Sequence, residues 1–257
     1  VWVHASASLA GCTPEAAVDL IAAELAGQGM DHEHLLADVW MVGEPDAAHV
    51  ASSLRHHRFV TNPDALVRLA QPAVPVVAAS LSFSKQPVAV LSEVNSDDGI
   101  HLTLKKSGSM VWGTGTCADP GLDLVGQTSD IMQGLDAGLR AAGASFADMV
   151  KLTAHYTGGA SEQELHGNMK VRHGFYANPG PASTGLPVAG LGNEHCRIAI
   201  DVIAISDYQP LSLQICPLAY RRSSVCSCAA SSPLHPRCPC RRSMVQARLR
   251  RATCETP

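Results

Sequence analysis

Apolar residues recur at helical spacing in two segments that lie about 110 residues apart along the chain. The first segment begins after Thr13-Pro14, where threonine suits the N-cap of a helix and proline suits its first position. The second segment begins near Thr128. The two sets of apolar positions are Val18, Ile21, Ala22 and Leu25, and Ile131, Leu135 and Leu139. Glycine follows each segment, so helix ends are predicted near Gly27 and Gly29 and at Gly143.

An apolar strand pattern follows each predicted helix, and the order of elements is the same in both halves of the chain. The runs at residues 35–42 and 149–156 predict these two strands. A second helix is predicted in each half, around Val50 and Leu54 and around Leu165 and Met169. The closing strands are predicted at residues 74–83 and 87–95, and at residues 185–191 and 195–206. This order predicts an α+β fold in which two helices pack on one face of each sheet.

The repeat divides the chain into two modules and a tail of different composition. The first module is assigned to residues 1–97, the second to residues 98–208 and the tail to residues 209–257. The first module is expected to be truncated at its start, because the strand predicted at Ile100–Leu104 has no counterpart before Val1. The tail is rich in Arg, Cys, Ser and Pro without an apolar pattern, so it is expected to be disordered or non-native. A basic arm that binds nucleic acid is the alternative for the tail.

Composition argues against several classes of protein. Aromatic residues make up 4% of the chain, which is too few for a surface that stacks nucleic-acid bases. No run of about 18 apolar residues predicts a membrane span, and the opening residues show no basic and apolar leader. Outside the tail, three scattered cysteines do not form a disulfide framework, so a cytoplasmic location is expected. These cysteines are Cys12, Cys117 and Cys196.

Three segments within residues 99–206 carry a family pattern. They are Ala141–Thr153, Pro181–Leu191 and Cys196–Ile205. In this part the sequence resembles the Rid (YjgF-like) family of enamine/imine deaminases, whereas the first module resembles it in outline. The resemblance implies a chorismate-mutase-like α+β fold for each module and trimers with small-molecule sites between subunits. It also implies hydrolysis of 2-imino acids to 2-keto acids, with release of ammonia and without a metal or an organic cofactor.

This chemistry needs a guanidinium that holds the substrate carboxylate and an acid or base that activates water. The family pattern has an arginine where this chain has Ser183, and an acid where it has Ala199. Arg197 and Asp201 stand four residues apart on one predicted strand and therefore point to one face of the sheet. They are the predicted catalytic residues, and the alternative is an ion pair at a subunit interface or a solvent-facing strand without a catalytic role. The predicted substrate-binding residues are Ser183, Thr184, Gly185 and Tyr156.

Other residue patterns have two interpretations each. His155 ends a predicted strand near the expected cleft, and it either acts as an acid–base group or is an ordinary surface residue. The cluster Asp31-His32-Glu33-His34 holds residue types that bind metals, without a distant fourth partner. The paired cysteines of the tail are separated by one residue, which is too few for a structural zinc site. No metal site is therefore predicted.

Two functions are compatible with the sequence. The first is a Rid-like hydrolase of reactive imines, enamines or related small carbonyl compounds. The second is a catalytically inactive Rid-fold module that binds a small molecule or acts as a scaffold, within a larger tandem protein such as a diphthine–ammonia ligase. The expected partners are a small carboxylate-bearing or carbonyl substrate and further copies of the chain, in a trimer or pseudo-symmetric oligomer. Nucleic acid and membranes are not expected as partners.

Overall fold

The computed structural model describes residues 2–8, 14–42, 67–68, 77–84, 86, 88–95, 99–157, 161–206 and 246–248. The strands are β1 (Trp2–Ser8), β2 (Leu35–Val42), β3 (Val67–Arg68), β4 (Val77–Ser84), β5 (Ala89–Asn95), β6 (Ile100–Ser107), β7 (Met110–Cys117), β8 (Met149–Thr157), β9 (Ala182–Val188), β10 (Ile198–Ile205) and β11 (Gln246–Arg248). The helices are α1 (Pro14–Gly27), α2 (Leu124–Ala141) and α3 (Glu162–His173). Together these elements form a mixed α+β fold, as the sequence predicts.

Helix α2 follows directly from the spacing of its apolar residues. Its fully buried positions include Ile131, Leu135 and Leu139, as predicted. The Asp123 carboxylate caps the helix by accepting a hydrogen bond of 2.8 Å from the backbone N–H of Gly126. The helix therefore begins before Thr128, the start expected from the apolar spacing. It ends as predicted, because Gly143 adopts a φ of 73°, a left-handed conformation that favours glycine.

Six strands form one sheet in the order β5-β6-β7-β10-β8-β9, and α2 packs on one of its faces. Helix α3 packs beside α2. A Cβ atom added at Gly115 of β7 would lie 2.8 Å from Ile131 Cγ2, so the glycine allows α2 to approach the sheet closely. Each large apolar side chain buried in this core contributes about 1.5–3 kcal/mol. The face that α2 covers is the outer face of this sheet, and the opposite face is its inner face.

The other strands form a second sheet in the order β11-β1-β4-β2-β3. Its four strands β1-β4-β2-β3 follow the same order as β7-β10-β8-β9, and both sets are joined by two antiparallel pairs and then one parallel pair. Helix α1 begins at Pro14 and is followed by Gly29 with a φ of 68°, as predicted. The second helix predicted around Val50 and Leu54 lies outside the described residues.

Two strands differ from the assignment made from the sequence. Residues 87–95 are expected to close the first module, but β5 pairs with β6 as an outer strand of the six-stranded sheet. The chain reverses near Gly99, whose φ of 76° favours glycine, so the two strands form a local hairpin. Within residues 209–257, β11 pairs in parallel with β1, because the backbone groups of an edge strand can bind a further strand. The rest of this tail lies outside the described residues.

The second sheet covers part of the inner face. Val39 and Met41 of β2 pack against an apolar cluster of the six-stranded sheet. That cluster consists of Val188, Leu191, Cys196 and Ala199. Lys105 of β6 donates a hydrogen bond of 3.0 Å from Nζ to the carbonyl oxygen of Leu35. The polar groups of the inner face are therefore partly shielded from water.

Candidate functional site

A row of polar side chains crosses the inner face. Asp201 of β10 lies opposite Thr114 of β7 and opposite Thr153 of β8 in the register of these strands. Thr153 in turn lies opposite Thr184 of β9. Residues that pair across neighbouring strands present their side chains to the same face of a sheet. The row therefore places one carboxylate among three hydroxyl groups.

The Asp201 carboxylate has two close partners. Thr114 Oγ1 donates a hydrogen bond of 2.5 Å to Asp201 Oδ1. His155 Nδ1 lies 3.8 Å from Asp201 Oδ2. The Asp201 side chain is 26% exposed, whereas the His155 side chain is 8% exposed. A small molecule can therefore reach the carboxylate, while the imidazole beside it is shielded from solvent.

Burial weakens the charged forms of both members of this pair. It raises the pKa of Asp201, and the charge of His155, the hydrogen bond from Thr114 and the charge of Lys151 oppose this rise. Burial lowers the pKa of His155, and the charge of Asp201 opposes this fall. An acid with a raised pKa beside a base with a lowered pKa is an arrangement found at acid–base catalytic sites. The pair is therefore suited to acid–base catalysis.

Lys151 places a cation on the same face. It stands two residues before Thr153 and four before His155 on β8, so the three side chains share the inner face. Lys151 is exposed, and its charge is one of those that lower the pKa of Asp201. A substrate carboxylate held by this amine would lie near the acid–base pair.

Three of the predicted substrate-binding residues lie on the outer face instead. Ser183 pairs with Leu152 and Gly185 with Ala154, and both partners belong to the core beneath α2. Tyr156 packs against the same core. All three lie near the guanidinium of Arg172 in α3.

Arg172 of α3 supplies a buried guanidinium at this place. Its Nη1 atom lies 3.5 Å from Ser183 Oγ, and its Nε–H donates a hydrogen bond of 3.0 Å to Asn168 Oδ1. A Cβ atom added at Gly185 would lie 3.9 Å from Arg172 Nη2 and 3.4 Å from Tyr156 Cε1. The serine that stands at the arginine position of the family pattern therefore contacts an arginine from another element.

Arg197 lies just before β10, and its side chain is exposed. Its backbone N–H donates a hydrogen bond of 2.8 Å to Gln127 Oε1, and its carbonyl oxygen accepts one of 2.9 Å from the N–H of Thr157. The charge of Lys151 lowers the pKa of Asp201. The structure thus brings Asp201 and Thr184 to one face, and Ser183, Gly185 and Tyr156 to the other.

Lys151 and Arg172 were not among the residues predicted for the site. The available signal for Lys151 was the alternation of side chains along β8. Lys151 and His155 are an even number of residues apart, so they face the same side of the sheet. For Arg172 the signal was its spacing of four from Asn168, which places two polar residues on one side of α3. Asn168 and Arg172 are buried, whereas Met169, an apolar residue used to predict the helix, is 37% exposed.

Two negative findings apply to the part of the chain that the structure describes. There, none of the helices combines the length and the apolar character that crossing a bilayer requires. Over the same residues, no three histidine, cysteine, aspartate or glutamate side chains come together in a group able to hold a metal ion.

Comparison with known proteins finds matches among solved structures. No protein-family model matches the chain, and no curated protein matches it. A putative translation initiation inhibitor from Salmonella typhimurium is 18% identical, with a TM-score of 0.39 over 46% of this chain and 96% of that one. A member of the YjgF/YER057c/UK114 family from Mycobacterium tuberculosis is 20% identical, with a TM-score of 0.39 over 46% and 98%. RidA from a Psychrobacter species is 20% identical, with a TM-score of 0.36 over 45% and 93%. Two of these three structures, from Mycobacterium tuberculosis and Psychrobacter, are described as a YjgF-family protein and as RidA.

Proposed function

We propose that this chain is a Rid-type hydrolase that converts a small 2-imino acid, or a related imine or enamine, into a 2-keto acid and ammonia. The observation that supports this function is the Asp201–His155 pair on the inner face, with Thr114 bonded to the carboxylate. The resemblance of the sequence to Rid-type proteins supports the choice of reaction, and the pair supports its acid–base chemistry.

In the proposed reaction Asp201 takes one proton from a water molecule while the water oxygen attacks the imine carbon. A C–O bond forms, the electron pair of the C=N double bond moves to nitrogen, and the nitrogen accepts the proton that Asp201 took from water. The C–N bond of this carbinolamine then breaks, and the hydroxyl proton is passed to the departing nitrogen through Asp201. One water is consumed and one ammonia is released, so no redox partner is required. The charge of His155, whose Nδ1 lies 3.8 Å from Asp201 Oδ2, lowers the pKa of Asp201 and so favours its carboxylate form between the two proton transfers.

We further propose that Lys151 holds the substrate carboxylate and that Thr184 borders the same site. Lys151 is favoured over Arg197 because its charge lowers the pKa of Asp201 and because it stands two residues from Thr153, which lies opposite Asp201 in the sheet, whereas Arg197 precedes β10. Loss of this amine is expected to raise KM with a smaller change in kcat, because it contacts a part of the substrate that does not react.

The second sheet, which contains β1, β4, β2 and β3, is proposed to belong to another, shorter Rid-like module. The support is the shared order and direction of four strands in the two sheets. In this proposal the inner face of one module is covered by its neighbour in the same chain. A trimer of such chains, or another symmetric oligomer, is proposed from the resemblance alone.

The test is the release of ammonia from 2-iminobutanoate, generated in situ, by the full chain and by three variants. Asp201→Asn is expected to lower kcat by about 100-fold or more, the range for loss of a general acid or base. Lys151→Met is expected to raise KM, and Arg197→Met serves as its matched control. Asp136→Asn controls for loss of a carboxylate, because this residue pairs with Arg140 on the surface of α2. Equal turnover by Asp201→Asn and the wild type would refute the proposed reaction.

A binding module without turnover is the second candidate function. It is favoured by Ala199, a buried residue that stands where the family pattern has an acid. Ammonia release no faster than the uncatalysed rate, together with saturable binding of a 2-keto acid that Lys151→Met weakens, would support it over the hydrolase.

A further inference from the structure

The two helices of the six-stranded sheet are too narrow to cover its outer face. The outermost strands lie roughly 24 Å apart, which is five spacings of about 4.8 Å, whereas two helices of about 10 Å each cover roughly 20 Å. Helix α3 lies on the β9 side of α2, because Arg172 of α3 contacts Ser183 of β9. The strip beside β5 is therefore left uncovered by α2 and α3, and Val94 on this strip is 40% exposed.

A groove with apolar walls occupies this strip. Its volume is about 610 Å³, within the range of roughly 300–1,000 Å³ that is usual for ligand pockets. Val94 of β5 and Leu102 and Leu104 of β6 line one side of it. The other side is the surface of α2 that carries Gly134, Ala137, Gly138 and Ala141. Larger side chains on this surface of α2 would fill the groove.

Two hydrogen-bond acceptors lie at one end of the groove. Asp130 is half-buried and lines it, and within the part of the chain that the structure describes its carboxylate has no hydrogen bond or ion pair. Gln133, one turn further along α2, also lines it. Its Nε2 donates a hydrogen bond of 3.0 Å to Ser129 Oγ, which leaves Oε1 as an acceptor.

The cation nearest in sequence to the groove-lining residues of β6 lies towards the opposite end of α2. Lys106 of β6 donates a hydrogen bond of 3.2 Å from Nζ to the carbonyl oxygen of Ala142, just beyond the end of that helix. The Asp130 end of the groove therefore carries a negative charge and acceptors, which is the complement of a cation that donates hydrogen bonds.

We propose that the groove binds a small organic amine, in which an apolar chain or ring carries one ammonium group. The ammonium donates to the Asp130 carboxylate and to Gln133 Oε1, and the apolar body lies against Val94 and the small residues of α2. A small molecule is favoured over a protein partner because the volume is that of a ligand pocket and the polar groups converge at one end. The groove lies on the opposite face of the sheet from Asp201, so the proposal does not depend on the proposed hydrolase.

The test is a titration of the full chain with 4-phenylbutylamine, followed through the NMR signals of the ligand. 4-Phenylbutan-1-ol and 4-phenylbutyrate have closely similar apolar bodies with a neutral and a negative head, so the three ligands isolate the effect of charge. The amine is expected to bind about tenfold more tightly than the alcohol, because a charge-assisted hydrogen bond is stronger than a neutral one. The butyrate is expected to bind more weakly than the alcohol.

Four variants locate the binding. Asp130→Asn keeps the shape of the side chain and should bind the amine about tenfold more weakly, with unchanged affinity for the alcohol. Asp136→Asn is the matched control and should bind as the wild type does, because Asp136 pairs with Arg140 on the same helix. Ala137→Leu fills the groove from an exposed position and should weaken binding of both ligands. Asp201→Asn should leave binding of the amine unchanged, which separates the groove from the inner face.

Three outcomes would overturn the proposal. The first is equal affinity of the wild type for the amine and the butyrate, or no binding of the amine. The second is equal affinity of Asp130→Asn and the wild type for the amine. The third is a lower molar mass of Ala137→Leu in light scattering, because the groove would then hold a second copy of the chain.

Discussion

Replacement of Asp201 by asparagine tests the electrostatics of the inner face through protein stability, in a measurement that does not depend on catalytic activity. The amide has the shape of the carboxylate, and its oxygen can still accept the hydrogen bond from Thr114. Because burial raises the pKa of Asp201, the folded protein keeps a proton at pH values where the unfolded chain has lost it. In that window the free energy of unfolding of the wild type falls as pH rises, by up to about 1.4 kcal/mol per pH unit for one proton.

The asparagine variant lacks this fall, so its stability relative to the wild type should increase as pH rises from about 4, the ordinary pKa of an aspartate. His155 adds to the same trend. Its pKa is already lowered by burial, and loss of the Asp201 charge lowers it further, which destabilises the variant at acidic pH. Lys151 is the other charged group that acts on Asp201, and it is unchanged.

The assay is urea unfolding of both proteins at a series of pH values between 4 and 8, with Asp136→Asn as the matched control. The expected result for Asp201→Asn is a difference in free energy of unfolding that grows as pH rises from about 4 and levels off once the folded wild type has lost the Asp201 proton. For the control the difference stays constant. A difference that is constant or shrinks with pH for Asp201→Asn would show that Asp201 is not a buried acid with a raised pKa.

Three further predictions concern other parts of the molecule. Gly115→Ala should lower the free energy of unfolding by about 1–3 kcal/mol in urea titrations, because the new methyl group would lie 2.6 Å from Leu102 Cδ2 and 2.8 Å from Ile131 Cγ2 of α2. Unchanged stability would contradict the close packing of α2. The wild type should lose stability as pH rises between about 10 and about 12, since the folded protein keeps the phenol proton of Tyr176 there and the unfolded chain does not. Tyr176→Phe should lack this loss, and identical alkaline unfolding of the two proteins would contradict the prediction. If the chain self-associates through β5, Val90→Lys should reduce the molar mass measured by light scattering, because Val90 is 58% exposed on that outer strand; a multimer of unchanged mass would exclude this edge.

The helices and strands of residues 99–206 were predictable because their patterns are local. In α2 every third or fourth residue is apolar, and the buried positions follow that spacing. Strand β5 was placed in the wrong sheet because its sequence reads as a strand in either module. What decides its place is the backbone reversal near Gly99, which pairs it with β6.

The candidate site was predictable only in part, because a face of a sheet depends on pairing across strands. Asp201 was identified from the family pattern, and its partner His155 was noted as either an acid–base group or an ordinary surface residue. Arg172 was not, because α3 has little contrast between its apolar and polar sides, and its two buried residues are polar. Serine at the arginine position of the family pattern gave no sign that a guanidinium from α3 would contact it.

The most direct test of the proposed hydrolase is the ratio of kcat/KM for ammonia release from 2-iminobutanoate between the wild type and Asp201→Asn at neutral pH. The account predicts that the wild type accelerates this reaction and that the ratio is about 100 or more, because the carboxylate that takes the proton from water has been removed. A measurable wild-type rate with a ratio near one would contradict it and would move the chemistry away from the inner face.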